Sequence, residues 1–159
     1  MPPIKEYTIS ISDSKIVHLK KKLEATDFPT DLEDAGWQYG SPIPDIKKFH
    51  SHWLNDFDWR AHERRMNELP NFDTQINVDG FGSMDMHFVH QKSGIEGAIP
   101  LLFVHGWPGS FMEVSNMLPL LKGGDDGKGG KRPAFNVVAP SLPSYGFSGR
   151  VTKVCCAFR

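Results

Sequence analysis

The chain has 159 residues, 39% hydrophobic and 23% charged, a composition that suits a globular protein with a buried core and excludes a disordered one. A formal net charge of -1 and the lack of a basic cluster give no footing for nucleic acid or an anionic membrane as partner. No segment approaches the ~18 apolar residues of a membrane span, and the start Met-Pro-Pro-Ile-Lys-Glu lacks a signal peptide's apolar core, so a cytoplasmic protein is expected.

An extended segment is expected at Tyr7 to Ile11, followed by an amphipathic surface helix from Ser12 to Thr26 with Ile16, Leu19 and Leu23 on one face. Phe28-Pro29 stops it, and a meander anchored by Trp37 and Tyr39 leads to Pro44. From Asp45, the residues Ile46, Phe49, His50, Trp53, Leu54 and Phe57 fall on one helical stripe. Asp58 then caps a short helix that runs to about Leu69 and ends at Pro70.

Beyond Pro70 the period becomes two. Phe72, Thr74, Ile76 and Val78, then Met84, Met86 and Phe88 after a turn at Asp79-Gly80, describe two neighbouring antiparallel strands with these side chains on a common face. Ile99-Pro-Leu-Leu-Phe-Val104 is a continuous apolar run, as in a parallel strand covered on both faces. It stops at His105-Gly106 and turns through Trp107-Pro108-Gly109. Ser110 with Glu113 forms a capping-box pattern, so a helix carrying Phe111, Val114, Leu118 and Leu121 is expected to start there. Pro133 to Ala139 is the fourth strand, and Pro140 to Ser148 is a loop at its carboxyl end. A strand, a tight turn and a helix N-terminus place backbone N–H groups where open α/β folds do their chemistry, so the turn is a candidate oxyanion site.

Other constellations carry less. Gly123 to Lys131 is glycine-rich, but Asp125 and Arg132 stand where a phosphate-binding loop needs Gly and Ser or Thr, so it reads as a solvated linker. His50 and His52 point about 200° apart on a helix, and His87 and His90 lie on opposite faces of a strand, so neither pair shares a metal. Trp37, Trp53, Trp59 and Phe57 at helical spacing read as core rather than as a binding surface. His105 reads as fixing its turn by hydrogen bonds, and Ser110 as a cap, since the nucleophile elbow G-x-S-x-G is absent. Cys155 and Cys156 are adjacent and read as free thiols.

Five segments together resemble the microsomal-type epoxide hydrolases of the α/β-hydrolase class, particularly soluble fungal members. They are Trp37-Gln-Tyr-Gly-Ser-Pro42, Trp53-Leu-Asn-Asp-Phe-Asp-Trp-Arg60, Asn67-Glu-Leu-Pro-Asn-Phe72, His105-Gly-Trp-Pro-Gly-Ser110 and Pro140-Ser-Leu-Pro-Ser-Tyr-Gly-Phe-Ser148. The resemblance spans residues 4 to 153. It implies an α/β protein: an incomplete α/β-hydrolase fold, its first four strands in the order 1-2-4-3, preceded by a mainly helical N-terminal meander. The implied domains are an N-terminal epoxide hydrolase region (1–70), the first part of the core (71–153) and an aberrant tail (154–159).

The resemblance also implies a reaction. A carboxylate opens an apolar epoxide to an alkyl-enzyme ester, and a histidine oriented by an acid activates water to release the vicinal diol, with no cofactor and no metal. The Trp107 backbone N–H matches the family's oxyanion donor, supported by His105, Gly106, Pro108 and Gly109, with Pro108 matching the turn proline and expected in the cis form. The family's nucleophile, acid, histidine and lid tyrosines would follow Lys153, so the chain is expected to be truncated, inactive alone and poorly soluble. Ser144 departs from the family's Leu-Pro-Gly-Tyr pattern. The rival reading is a non-catalytic interaction or regulatory module that pairs with a full-length homologue, or with itself, through an open strand edge. The implied role of the full enzyme is epoxide metabolism and detoxification.

Overall fold

The computed structural model describes residues 2–125 and 131–153 of the chain. It divides into two compact units, residues 10–64 and a second made of residues 1–9 with 65–159. The expectations for Cys155 and Cys156 lie outside the described residues.

The first unit is helical: α1 (Asp13–Glu24), α2 (Ile43–Asn55) and the start of α3 (Trp59–Asn67). Pro44 sits in the first turn of α2, where a missing N–H costs nothing. Asp58 caps α3 as expected, its Oδ1 accepting the Ala61 N–H at 3.1 Å. Arg60 ties Asp13 to Glu63, and Glu63 also accepts the Ile11 N–H. That backbone hydrogen bond holds the Glu63 carboxyl below the usual carboxylate range, with Arg60 and Trp59 adding to it. His50 bonds the Leu23 carbonyl at 2.8 Å and His52 faces Asp56, so the two imidazoles serve different partners. The aromatic set is not core. Trp37 and Trp53 are exposed, and Leu23 is the one buried residue of α1 and α2, because two short helices with a meander make no opposing layer large enough to close over them.

The second unit is built on a five-stranded sheet. Its strands are β1 (Lys5–Glu6), β2 (Asn71–Val78), β3 (Gly82–Gln91), β4 (Ile99–Leu102) and β7 (Phe135–Pro140), in the order β1-β2-β3-β7-β4. Separately, β5 (Gly124–Asp125) pairs antiparallel with β6 (Lys131–Arg132), so the two ends of the stretch read as a linker are extended. The four main strands follow the order 1-2-4-3 that the resemblance implies. β4 runs parallel to β7, while β2, β3 and β7 pair antiparallel. Extended pairing at the N-terminus falls at Lys5–Glu6, before the expected Tyr7, although the Tyr7 N–H still donates to Asn71 O.

In register, Phe72 lies opposite Phe88, Thr74 opposite Met86 and Ile76 opposite Met84, so the expected common face exists. The deeper core forms on the other face, where Val89, Val137 and Ala139 meet Ile9, Phe111, Val114 and Leu118. The expected helix from Ser110 to Leu121 is broken in two: a 3-10 turn (Phe111–Val114) and the single-turn α4 (Leu118–Leu121). Pro119 is the cause, since it cannot donate to the Ser115 carbonyl and its ring collides with it. Ser110 Oγ accepts from Met112 N–H at 3.3 Å rather than from Glu113, so the capping box does not close.

Candidate active-site turn

β4 alternates its hydrogen bonding. Ile99 and Phe103 donate to Ala134 O and Val138 O at 2.8 and 2.9 Å, so the odd-numbered N–H groups face β7 and those of Leu102 and Val104 face the opposite edge. Among the described residues no strand pairs with that edge, and Leu102 is 66% exposed. β4 is therefore the open edge that the strand order implies, but it is not covered on both faces, since Leu101 and Phe103 are half-buried while Leu102 and Val104 are exposed.

At its carboxyl end the chain turns through Gly106 to Gly109, closed by Gly109 N–H donating to Gly106 O at 2.9 Å, with a cis peptide between Trp107 and Pro108. The Trp107 side chain is 83% exposed, and its N–H meets no acceptor among the described residues. The Glu113 carboxylate lies against Gly109 where a Cβ would stand, so a side chain there requires this exposed glutamate to swing away.

His105 is buried. Its Nε2 lies 3.1 Å from the Leu142 N–H, which can only donate, so Nε2 is the acceptor. The ring proton then sits on Nδ1 and donates to Gly106 O at 3.1 Å. One imidazole thus joins the Gly106–Gly109 turn to the loop after β7, and the ring of Tyr145 packs edge-on against it.

That loop is fixed in turn by a buried polar knot. Asn71 donates through Nδ2 to Met66 O and Leu69 O, which leaves its Oδ1 to accept from His87 Nε2 at 3.1 Å. His87 Nδ1, 2.9 Å from Ser141 Oγ, therefore accepts the Ser141 hydroxyl. Ser148 accepts the His87 N–H and donates to Ser141 O at 2.7 Å. Tyr7, Phe111 and Phe147 surround the imidazole edge to face. Burial pushes the His87 pKa down to about 4, so the ring is neutral and the proton pattern is fixed. The order Ser141, His87, Asn71 imitates a catalytic triad, but all three are buried away from any substrate, so the trio is structural.

Ser144 adopts φ +70°, a left-handed conformation that favours glycine, which explains why a glycine pattern suits this position. Its hydroxyl compensates by accepting the Val151 N–H at 2.9 Å. Gly146, at φ +51°, has Ser141 Oγ 2.5 Å from where a Cβ would stand.

The structure thus brings His105, Gly106, Trp107, Pro108 and Gly109 into one turn and joins it to the Pro140 to Ser148 loop. The knot of Asn71, His87, Ser141 and Ser148 was the part the sequence concealed. Its only sign there is that the polar members of β2 and β3 alternate with the hydrophobic ones. Among the described residues no group of three His, Cys, Asp or Glu is placed to hold a metal, and no helix is long and apolar enough to cross a membrane.

A mixed sheet in this order, with a turn of this kind at the end of its parallel strand, defines the first four strands of an α/β-hydrolase core. Residues 4–114 match the family described as epoxide hydrolase N terminus, and the chain belongs to that family. It is 37% identical over 150 residues to a putative epoxide hydrolase of Stigmatella aurantiaca, covering 94% of this chain and 33% of that one. The juvenile hormone epoxide hydrolase of Bombyx mori superposes with a TM-score of 0.80 at 28% identity, covering 96% of this chain and 39% of that one. The epoxide hydrolase of Aspergillus niger superposes with a TM-score of 0.76 at 28% identity, covering 98% and 38%. The chain spans about a third of the length of the curated relatives it matches.

Proposed function

We propose that this chain carries the oxyanion half of an epoxide hydrolase site acting on small apolar epoxides. The observation that supports it best is the Trp107 N–H, without an acceptor among the described residues and held at the carboxyl end of β4 by a turn that His105 ties to the next loop. Attack of a carboxylate on the epoxide gives an alkyl-enzyme ester, and hydrolysis of that ester places negative charge on the former carboxylate oxygen. A rigid N–H aimed at that oxygen stabilises the transition state without reorganisation. Gly106, Pro108 and Gly109 shape the turn, and His105 orients it. In this reading the nucleophile, the acid and histidine that activate water, and the lid tyrosines lie outside residues 4–153.

Two measurements test this reading. Purified chain is expected to form no diol from styrene oxide above the uncatalysed background, and measurable turnover would overturn the assignment of the nucleophile elsewhere. A chimera of residues 4–153 with the remaining two thirds of the Stigmatella relative is expected to hydrolyse epoxides. In that chimera Trp107→Pro, which removes the N–H, lowers kcat by ~10²- to 10³-fold, while Trp107→Ala, which keeps it, costs far less. Equal losses would show that the N–H is not the donor.

The open edge of β4 favours a second reading, in which the chain is a non-catalytic module that pairs there with a homologue or a second copy. Among the described residues the Leu102 and Val104 N–H groups meet no acceptor, and they lie among exposed apolar side chains. Co-purification with a full-length homologue, lost in Leu102→Lys, supports it; monomeric behaviour at high concentration counts against it.

A further inference from the structure

The Trp107 N–H belongs to the same planar peptide unit as the Gly106 carbonyl, and that unit is trans, so the N–H and the C=O point in opposite directions. Whatever holds the Gly106 carbonyl therefore aims the Trp107 N–H. Two donors hold it, His105 Nδ1–H at 3.1 Å and the Gly109 N–H at 2.9 Å.

The neutral His105 ring donates from Nδ1 only while Nε2 is left to accept, and the Leu142 N–H, 3.1 Å away, keeps Nε2 in that state. That N–H is in turn half of a peptide unit whose other half is the Ser141 carbonyl. Ser148 Oγ donates to this carbonyl at 2.7 Å and is itself held by the His87 N–H at 3.0 Å, while the Ser141 N–H donates to His87 O at 2.8 Å. Two peptide planes and one imidazole thus form a continuous relay, from the Ser148 hydroxyl through Ser141 C=O, Leu142 N–H, His105 and Gly106 C=O to the Trp107 N–H. Every link donates in the same sense, so each polarises the next and strengthens the last donor.

We propose that Ser148 is a positioning residue of the oxyanion site, fixing the tautomer of His105 and through it the direction and strength of the Trp107 N–H. The role rests on Trp107 being the oxyanion donor, as proposed above. Ser148 makes no contact with the reacting atoms in this scheme; it supplies preorganisation, which counts in turnover rather than in binding. The knot of Asn71, His87 and Ser141 is then the mount on which the relay begins.

The purified chain tests the relay without any epoxide. At about pH 8, where an ordinary imidazole is neutral, Ser148→Ala is expected to turn the single Nδ1–H tautomer of His105 into a mixture in imidazole 15N spectra. It should also move the Trp107 amide proton upfield while the Val89 and Val137 amides stay in place. Ser148→Thr, which keeps a hydroxyl, should restore both signals. His105→Asn keeps a donor near the Nδ1 position but has nothing to reach Leu142, so in that background Ser148→Ala should leave the Trp107 amide unmoved. In the chimera, Ser148→Ala should lower kcat about tenfold with KM held within about twofold, and should add no loss to Trp107→Pro. A His105 tautomer and Trp107 amide untouched by Ser148→Ala, a threonine as disruptive as alanine, or losses that multiply in full with Trp107→Pro would each overturn the proposal. Equal losses for Trp107→Pro and Trp107→Ala would instead remove Trp107 as the donor, a failure separate from an uncoupled Ser148.

Discussion

The helical unit and the sheet unit contain amphipathic elements of similar quality, yet they use them differently. In the sheet unit, strands distant in sequence are brought side by side, and the 3-10 turn and α4 lay Phe111, Val114 and Leu118 over Val89, Val137 and Ala139. In the helical unit α2 carries a well-formed apolar stripe and buries none of it completely. A hydrophobic stripe is a demand for an opposing surface, and the sheet supplies one where two short helices do not. The helical unit is left with exposed aromatics, the sheet unit with a closed core and a fixed polar knot.

That contrast can be broken first by truncation. Phe111→Ala in the sheet unit is expected to cost about 4 kcal/mol, while Trp53→Ala, at a side chain 47% exposed, should cost about 1 kcal/mol. Urea unfolding of the two variants measures both, and similar losses would show that the helical unit is as tightly packed as the sheet.

Acid sharpens the contrast next. The unfolded His87 binds a proton below about pH 6.5, whereas the folded ring resists protonation until about pH 4. Stability that is fully present at pH 7 is therefore lost as the pH falls from 6.5 toward 4, by about 3 kcal/mol in all, and falls no further from this cause below pH 4. No histidine of the helical unit is fully buried, so hydrogen-exchange protection factors, with the slower intrinsic exchange at the lower pH divided out, should fall from pH 7 to pH 5 mainly in β2, β3 and β7. His87→Gln should remove the slope along with some stability.

The smallest expected effect separates strain from hydrogen bonding at Ser144. Ser144→Ala keeps the left-handed backbone and loses the bond to Val151, for a cost of about 1 kcal/mol. Ser144→Gly loses the same bond but relieves the strain, and should be within ~0.5 kcal/mol of the parent. Thermal melts of the two variants decide, and a glycine as harmful as alanine would mean that the hydroxyl alone matters.

Much of this was legible in the residues. Periodicity located α1, α2 and α3 and the common face that Phe72 and Phe88 share on two antiparallel strands, because those features depend on neighbours along the chain or across one short turn. The His105-Gly-Trp-Pro-Gly motif was legible because its glycines and proline encode a backbone shape. What misled was context. Ser110 and Glu113 look like a helix start, but Pro119 eight residues on from the 3-10 turn's first residue breaks the continuation. Trp37 and Trp53 look like core, but nothing in the sequence says whether a second layer will cover them.

By itself, the sequence determined the local shapes and the family: strand, turn, capped helix, and the set of segments that match an epoxide hydrolase N terminus. Only the tertiary structure decided which face of β3 became the core, which proton His87 and His105 carry, and that one imidazole joins the Trp107 turn to the loop after β7. Those features rest on groups 16 to 54 residues apart that meet at hydrogen-bond distance, and no local pattern encodes a meeting of that kind.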